Sequence, residues 1–159
     1  MDDLQAFGIE VGKGKYEEEA FYGLVLVYTS LFNQVAKYLN EYKLTPAKMN
    51  VLMVIKHQGG EQGLSQREIG RRLMVTPSNM TRLLDKLKRD KLIERSAREG
   101  DKRVNVIRVS KKGSLLLDKA WPGYTQAMKN AMGVLSSSEQ KLVADLMLKW
   151  FHGLKNSKG

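Results

Sequence analysis

The run "LSQREIGRRLMVTPSNMTRLLDKLKRDKLIER", Leu64 to Arg95, contains two helix starts eleven residues apart. That spacing leaves the backbone few options. Ser65 with Glu68 has the form of a capping box, in which each side chain satisfies the other's backbone N–H, and it opens a short helix ending near Leu73. Thr76 followed by Pro77 reads as a second N-cap with a proline in the first turn. Between them "MVT" has room only for a tight connection, so the segment predicts two short helices joined by a turn.

The second of these helices divides its residues by face. Met80, Leu83, Leu84 and Leu87 share one arc, whereas Ser78, Arg82, Asp85 and Arg89 centre the opposite one, flanked by Asn79, Thr81 and Lys86. One arc packs and the other presents hydrogen-bonding groups. A helix of this kind fits the DNA major groove, where Arg grips guanine O6 and N7, Asn pairs with adenine and the N-terminal amides favour phosphate. The candidate DNA-binding residues here are Thr76, Ser78, Asn79, Thr81, Arg82 and Lys86. Basic amphipathic helices are common on protein surfaces, so the decisive feature is the segment C-terminal to this one. Leu92 to Ser96 and Val104 to Val109 have the alternation of two short strands, joined by the charged loop "AREGDKR". Helix-turn-helix plus hairpin is a winged helix.

Charge supports the same reading. The 159 residues carry a net charge of +10, and Ser65 to Gly113 hold 15 Lys and Arg against 6 Asp and Glu, while the rest hold 12 against 11. An excess this localised marks a face for a polyanion, with double-stranded DNA the leading partner.

The flanks are helical. Phe21, Leu24, Tyr28, Leu31, Val35, Leu39 and Tyr42 recur at spacings of three and four, predicting one long helix from about Tyr16 to Tyr42. Thr45 and Pro46 open another, carrying Met49, Leu52, Met53 and Ile55 until "HQGGEQG", which reads as a plain linker. After the hairpin, "SLLLDKAWPGYTQAMKNAM" is helical in pattern with Pro122 expected to kink it. Ser136 with Glu139 caps a last helix, whose stripe of Val143, Leu146, Met147, Trp150, Phe151 and Leu154 needs a surface to cover it. Packing within the chain is one answer; pairing with a second copy is favoured, since the first long helix has a similar stripe. Phe21, Leu24, Leu146, Trp150 and Phe151 are the candidate dimer-interface residues. The predicted class is mainly α, an α+β winged helix with N- and C-terminal helices forming a dimerisation domain. Residues 1–15 form a flexible lead-in, 16–44 and 114–155 the helical dimerisation region, and 45–113 the DNA-binding winged helix-turn-helix domain.

Other function classes find little support. The chain has no Cys, so a disulfide framework and thiolate metal sites are excluded. His57 and His152 lie far apart, and no metal or other cofactor is assigned. The opening "MDDLQAFGIE" is acidic where a secretory signal is basic, and the longest near-apolar run, Ala20 to Phe32, is too short for a bilayer, so the expected location is cytoplasmic with no membrane partner. No paired carboxylates, Ser-His-Asp pattern or nucleotide motif points to an enzyme.

These residues resemble the multiple-antibiotic-resistance regulator (MarR) family of bacterial and archaeal transcription factors. The "DKRVNVIRVSKKG" run is similar to the family's wing signature, here Asp101, Arg103, Val106, Val109 and Ser110, and the Leu64–Arg95 run is similar to its helix-turn-helix. The resemblance covers about Tyr16 to Leu154. It implies a homodimer whose recognition helices enter successive major grooves and whose wings reach flanking minor grooves. Arg98, Asp101, Lys102 and Arg103 are then the candidate wing residues, with Arg103 entering the minor groove and Asp101 either orienting Arg103 or shaping the turn. The implied function is a sequence-specific regulator, a repressor on a pseudo-palindromic operator, released by a small aromatic or lipophilic effector. Tyr38, Tyr42 and the methionines are candidates to line an effector cavity, with core packing the simpler role for each. The competing reading is a winged helix used for protein contact or for nonspecific DNA coating.

Overall fold

The computed structural model describes residues 2–10, 14–98 and 101–156. Its elements are α1 (Asp2–Gln5), α2 (Tyr16–Asn40), α3 (Pro46–Val54), β1 (Leu64–Ser65), α4 (Gln66–Leu73), α5 (Pro77–Arg89), β2 (Ile93–Arg98), β3 (Asp101–Val109), α6 (Lys111–Met132) and α7 (Ser137–Asn156). The chain is therefore mostly helical with one small antiparallel sheet, as its patterning predicts.

Most differences from the sequence reading occur where elements end. Helix α2 stops before Tyr42 because Lys43 takes a left-handed conformation (φ 55°) and the Leu44 N–H returns 3.0 Å to the Leu39 carbonyl. Both leucines are buried by that closure. Helix α3 starts as expected, with Thr45 Oγ1 accepting the Lys48 N–H at 3.3 Å, but does not stop at His57; it widens into a π-helical turn, Ile55–Gly59. The remainder of the supposed linker has a structural task. Gly63 adopts φ +70°, and a Cβ there would lie 2.7 Å from the Ile107 carbonyl. Only glycine lets the chain pass this close, and the result is β1, a two-residue strand that sequence patterning does not reveal.

The sheet order is β1–β3–β2, with Leu64 opposite Ile107, and Ile93 opposite Val109. Both hairpin strands exceed their predicted lengths. Val106 and Ile107 are adjacent, so they point to opposite faces, and both are buried; the central strand is covered on both sides. Ser110 then ties the hairpin to α6. Its N–H donates to the Leu92 carbonyl (3.0 Å), its hydroxyl donates to the Lys91 carbonyl (2.7 Å), and the same oxygen accepts the Gly113 N–H (3.0 Å).

The chain divides into two compact units, residues 1–124 and 125–159, and α6 runs from one into the other with Pro122 inside it. The first unit holds the core, built from Leu39, Met49, Leu52, Ile69, Leu84, Ile107 and Leu117 among others. Here Phe7 stacks on Tyr22 with ring centres 5.3 Å apart and Ile9 is buried, in a segment for which the sequence predicts no element. In the second unit, Ser136 and Glu139 form the expected box. Glu139 Oε2 accepts the Ser136 N–H at 2.7 Å, and the Ser136 hydroxyl and backbone together hold that carboxyl below its usual range. No residue of α7 is buried.

Tyr38 joins α2 to α6. Its hydroxyl donates to the Ala120 carbonyl at 2.9 Å and lies 3.2 Å from the Tyr42 hydroxyl, and a Cβ on Gly123 would overlap the phenol. Burial pushes the Tyr38 phenol up to about 12 from 10.0, and the Tyr42 hydroxyl acts in the same direction. The folded state thus holds this proton more tightly than the unfolded chain does. The contribution is fully present below pH 10 and is lost as pH rises toward 12. Ultraviolet titration should show one of the six tyrosines ionising near 12, and Tyr38→Phe should remove that step and flatten the alkaline fall in melting temperature. Gly123→Ala must displace the phenol and should cost about 1–3 kcal/mol in urea unfolding, the usual range for overpacking.

Candidate nucleic-acid interface

The apolar arc of α5 sets which of its residues face outward. Met80, Leu84 and Leu87 are each fully buried, and Thr76, Ser78, Asn79, Thr81, Arg82 and Lys86 are all exposed. Thr76 differs from its expected role. It is the N-cap by backbone, since its carbonyl accepts the Met80 N–H at 2.9 Å, but its hydroxyl turns aside to lie 3.5 Å from Ser78 Oγ and caps nothing. The Ser78 and Asn79 amides are left without an internal acceptor among the described residues, and amides so placed at a helix N-terminus attract anions.

Thr81 is already committed. Its hydroxyl donates to the Pro77 carbonyl (2.9 Å) and accepts from Gln66 Nε2 on α4 (2.7 Å). Asp85, the one anion on this face, lies 3.0 Å from Arg95 Nη2 of β2. That contact is ionic and not a directed hydrogen bond, because among the described residues the buried Nε and Nη2 atoms of Arg95 have no hydrogen-bond partner. The local effect is to neutralise the acid that would repel phosphate. Asn79, Arg82 and Lys86 have no side-chain partner among the described residues.

Not every cation counted in the sequence is available. Arg72 is held by Gln58 Oε1 (2.5 Å) and the Glu68 carbonyl (3.1 Å), Arg108 by the Glu61 carbonyl and Ser96 Oγ (2.5 Å each), and Lys112 by the Asp90 carbonyl (2.8 Å). Arg67 and Arg71 are different. They are exposed on α4, and with Gln66, Met74, Val75, Thr76 and Pro77 they line an open groove of about 840 Å³ beside the N-terminus of α5. Sequence reasoning missed them, although their spacing of four on one helix face was a signal.

The capping box that roots α4 forms as predicted. Glu68 Oε2 accepts both the Ser65 N–H and the Ser65 hydroxyl at 2.7 Å, and the Glu68 N–H donates to Ser65 Oγ at 3.3 Å. At the hairpin tip, the strand register passes from Ala97 opposite Asn105 to Arg98 opposite Asp101 through an irregularity. The side chains of Arg98, Asp101, Lys102 and Arg103 lie outside the described residues. Of the other candidates, Phe21 and Leu24 are exposed on α2 in the first unit, and Leu146, Trp150 and Phe151 are exposed on α7 in the second. Tyr38 and Tyr42 are partly buried against the core. A cavity of about 70 Å³ bordered by Lys56, His57, Leu117 and Trp121 is too small for an aromatic ligand. Among the described residues no group of three His, Cys, Asp or Glu is placed to hold a metal, and no helix is long and apolar enough to cross a membrane.

A MarR-family model matches residues 42–104, from the turn after α2 into β3. The HTH-type transcriptional regulator MhqR of Bacillus subtilis is 28% identical over 127 residues, 80% of this chain and 86% of that protein. A second B. subtilis HTH-type transcriptional regulator, YkoM, is 30% identical over 137 residues, 84% of this chain and 87% of that protein. The chain belongs to the MarR family. Its fold matches solved MarR-type structures: the Staphylococcus aureus MepR–DNA complex has a TM-score of 0.76 at 22% identity, covering 83% of this chain and 96% of that one. CouR from Rhodococcus jostii RHA1, solved bound to p-coumaroyl-CoA, has a TM-score of 0.74 at 21% identity, covering 85% and 93%. The MarR-family relatives are regulators of transcription, not enzymes. Because α5 packs on α4, removing the box that roots α4 has a defined cost. Ser65→Ala should lower stability by about 1 kcal/mol in urea unfolding, and Glu68→Ala added to it should cost less than the two single losses together.

Proposed function

We propose that this MarR-family chain is a sequence-specific, double-stranded-DNA-binding transcriptional regulator, working in the cytoplasm as a homodimeric repressor on a pseudo-palindromic operator. The observation that carries the reading is the outer face of α5, where Asn79, Arg82 and Lys86 are exposed, and unpartnered among the described residues, beside free N-terminal amides. Helix α4 flanks it with Arg67 and Arg71 aimed at the phosphate backbone. Residues 45–113 form the binding domain, and residues 16–44 and 114–155 pair the two copies through the exposed apolar faces that include Phe21, Leu24, Leu146, Trp150 and Phe151. Two-fold pairing presents two recognition helices to half-sites about one helical turn apart. Arg98, Asp101, Lys102 and Arg103 supply the wing, with the Arg103 guanidinium in the minor groove. A small aromatic or lipophilic effector releases the protein from DNA, a role supported by CouR's complex with p-coumaroyl-CoA.

Selection of bound sites from random DNA, followed by footprinting in excess competitor, should return a short inverted repeat; uniform protection without one would overturn the sequence-specific reading. At the selected site, Arg82→Ala should cost about 1–3 kcal/mol and relax discrimination at one base pair. Lys86→Ala should instead weaken all sequences alike, with the salt slope falling by about one. Light scattering should show a dimer without DNA, and Trp150→Glu should yield monomers or aggregates. In the wing, Arg103→Ala should lose more affinity on A·T-flanked than on G·C-flanked operators. Asp101→Ala should weaken the parent yet add little once Arg103 is Ala.

A further inference from the structure

We propose that Gln66 is a specificity-determining residue that acts through Thr81, turning it into a reader of the thymine methyl group; this rests on the DNA-binding reading above. A threonine hydroxyl has one proton and two lone pairs. In Thr81 the proton goes to the Pro77 carbonyl at 2.9 Å, and Gln66 Nε2 takes up a lone pair at 2.7 Å. The hydroxyl is therefore turned back along α5 and across to α4, and fixing Oγ1 in one staggered well fixes the Cγ2 methyl as well. Thr81 is exposed on the recognition face. What it offers DNA is a methyl group and not a donor, and the matching feature in the major groove is the C5-methyl of thymine.

Gln66 is suited to hold that state because its own root is rigid. It is the first residue of α4, directly after Ser65, whose main chain is clamped by Glu68 Oε2 at 2.7 Å. Its bond to Thr81 spans fifteen residues of sequence and is purely tertiary. Without it the Thr81 oxygen regains an open lone pair, the side chain recovers its second helical rotamer, and a hydroxyl can turn toward the bases in place of the methyl.

The test uses the full-length protein and the operator recovered by site selection, with each thymine replaced in turn by deoxyuridine, which removes only the methyl. The parent should lose about fourfold in affinity at one such position in each half-site, the share of one methyl group removed from water. Thr81→Ser keeps the hydroxyl and drops the methyl, so it should bind the thymine and uracil operators equally. Gln66→Ala should also bring the thymine-to-uracil ratio close to one while retaining Thr81, with only the small loss in melting temperature of one exposed hydrogen bond, because the Ser65–Glu68 box is untouched. A merely structural role for Gln66 would shift melting and overall affinity but leave that ratio unchanged. Retention of the parent ratio in either variant, or an operator bound with no uracil-sensitive position, overturns this proposal alone. A selection that enriches no site overturns it together with the regulator reading.

Discussion

The burial of one arc of α5 is the constraint on which the rest of the molecule depends. Met80, Leu84 and Leu87 are fully buried, in one core with Met49 and Leu52 of α3, Ile69 of α4 and Ile107 of β3. Each such side chain contributes about 1.5–3 kcal/mol relative to exposure, so rotating the helix about its axis would forfeit several of these contributions at once. With a period of 3.6 residues, fixing that arc fixes the opposite one, and Asn79, Arg82 and Lys86 have nowhere to go but outward. The polar face is positioned by packing and not by polar contacts of its own. This is why three side chains with no partner among the described residues sit on a helix whose inner side is among the best enclosed in the protein.

The hairpin is tied to the same core by a different device. Ser110 takes four hydrogen bonds where β3 becomes α6, two of them to the Lys91–Leu92 segment that comes after α5 and two from Gly113 and Ser114 at the start of α6. The end of α5, the base of the hairpin and the start of α6 therefore meet at one residue. Arg108 adds a second tie, bridging Ser96 on β2 to the Glu61 carbonyl ahead of β1. Cations counted along the chain as available for DNA are partly structural, and among the described residues of 65–113 most of those left without a partner lie on α4 and α5.

How far a feature was legible in the sequence depends on how local its cause is. The capping boxes at Ser65 and Ser136, the Thr45–Pro46 start and the two faces of α5 each depend on residues within about one or two turns, and all were readable. The winged-helix class was readable for the same reason, from the switch of period between Arg89 and Leu92. Strand β1 was not, because two residues carry no period and the strand exists only through the approach of Gly63 to Ile107. The extra π-helical turn after α3 was hidden by glycines that read as a linker. At the site, the exposure of Arg82 was legible. The capture of the Thr81 hydroxyl by Gln66 and the pairing of Asp85 with Arg95 were not, since both join residues from separate elements.

Helix α7 poses the opposite energetic problem from α5. It has twenty residues, a formed capping box at Ser136 and an apolar stripe, yet none of its residues is buried. Propensity and a cap contribute little toward holding a helix of this length in water, and most helical stability in proteins comes from covering an apolar face. Leaving Leu146, Trp150 and Phe151 exposed while ordering their backbone brings entropy loss without the compensating removal of apolar area. The proposed second copy resolves this, because its apolar helices are the same kind of surface. Under that reading the order of α7 is not a property of one chain: it is linked to assembly by mass action, and the geometry that sets two recognition helices on one operator is established by the same burial that stabilises α7.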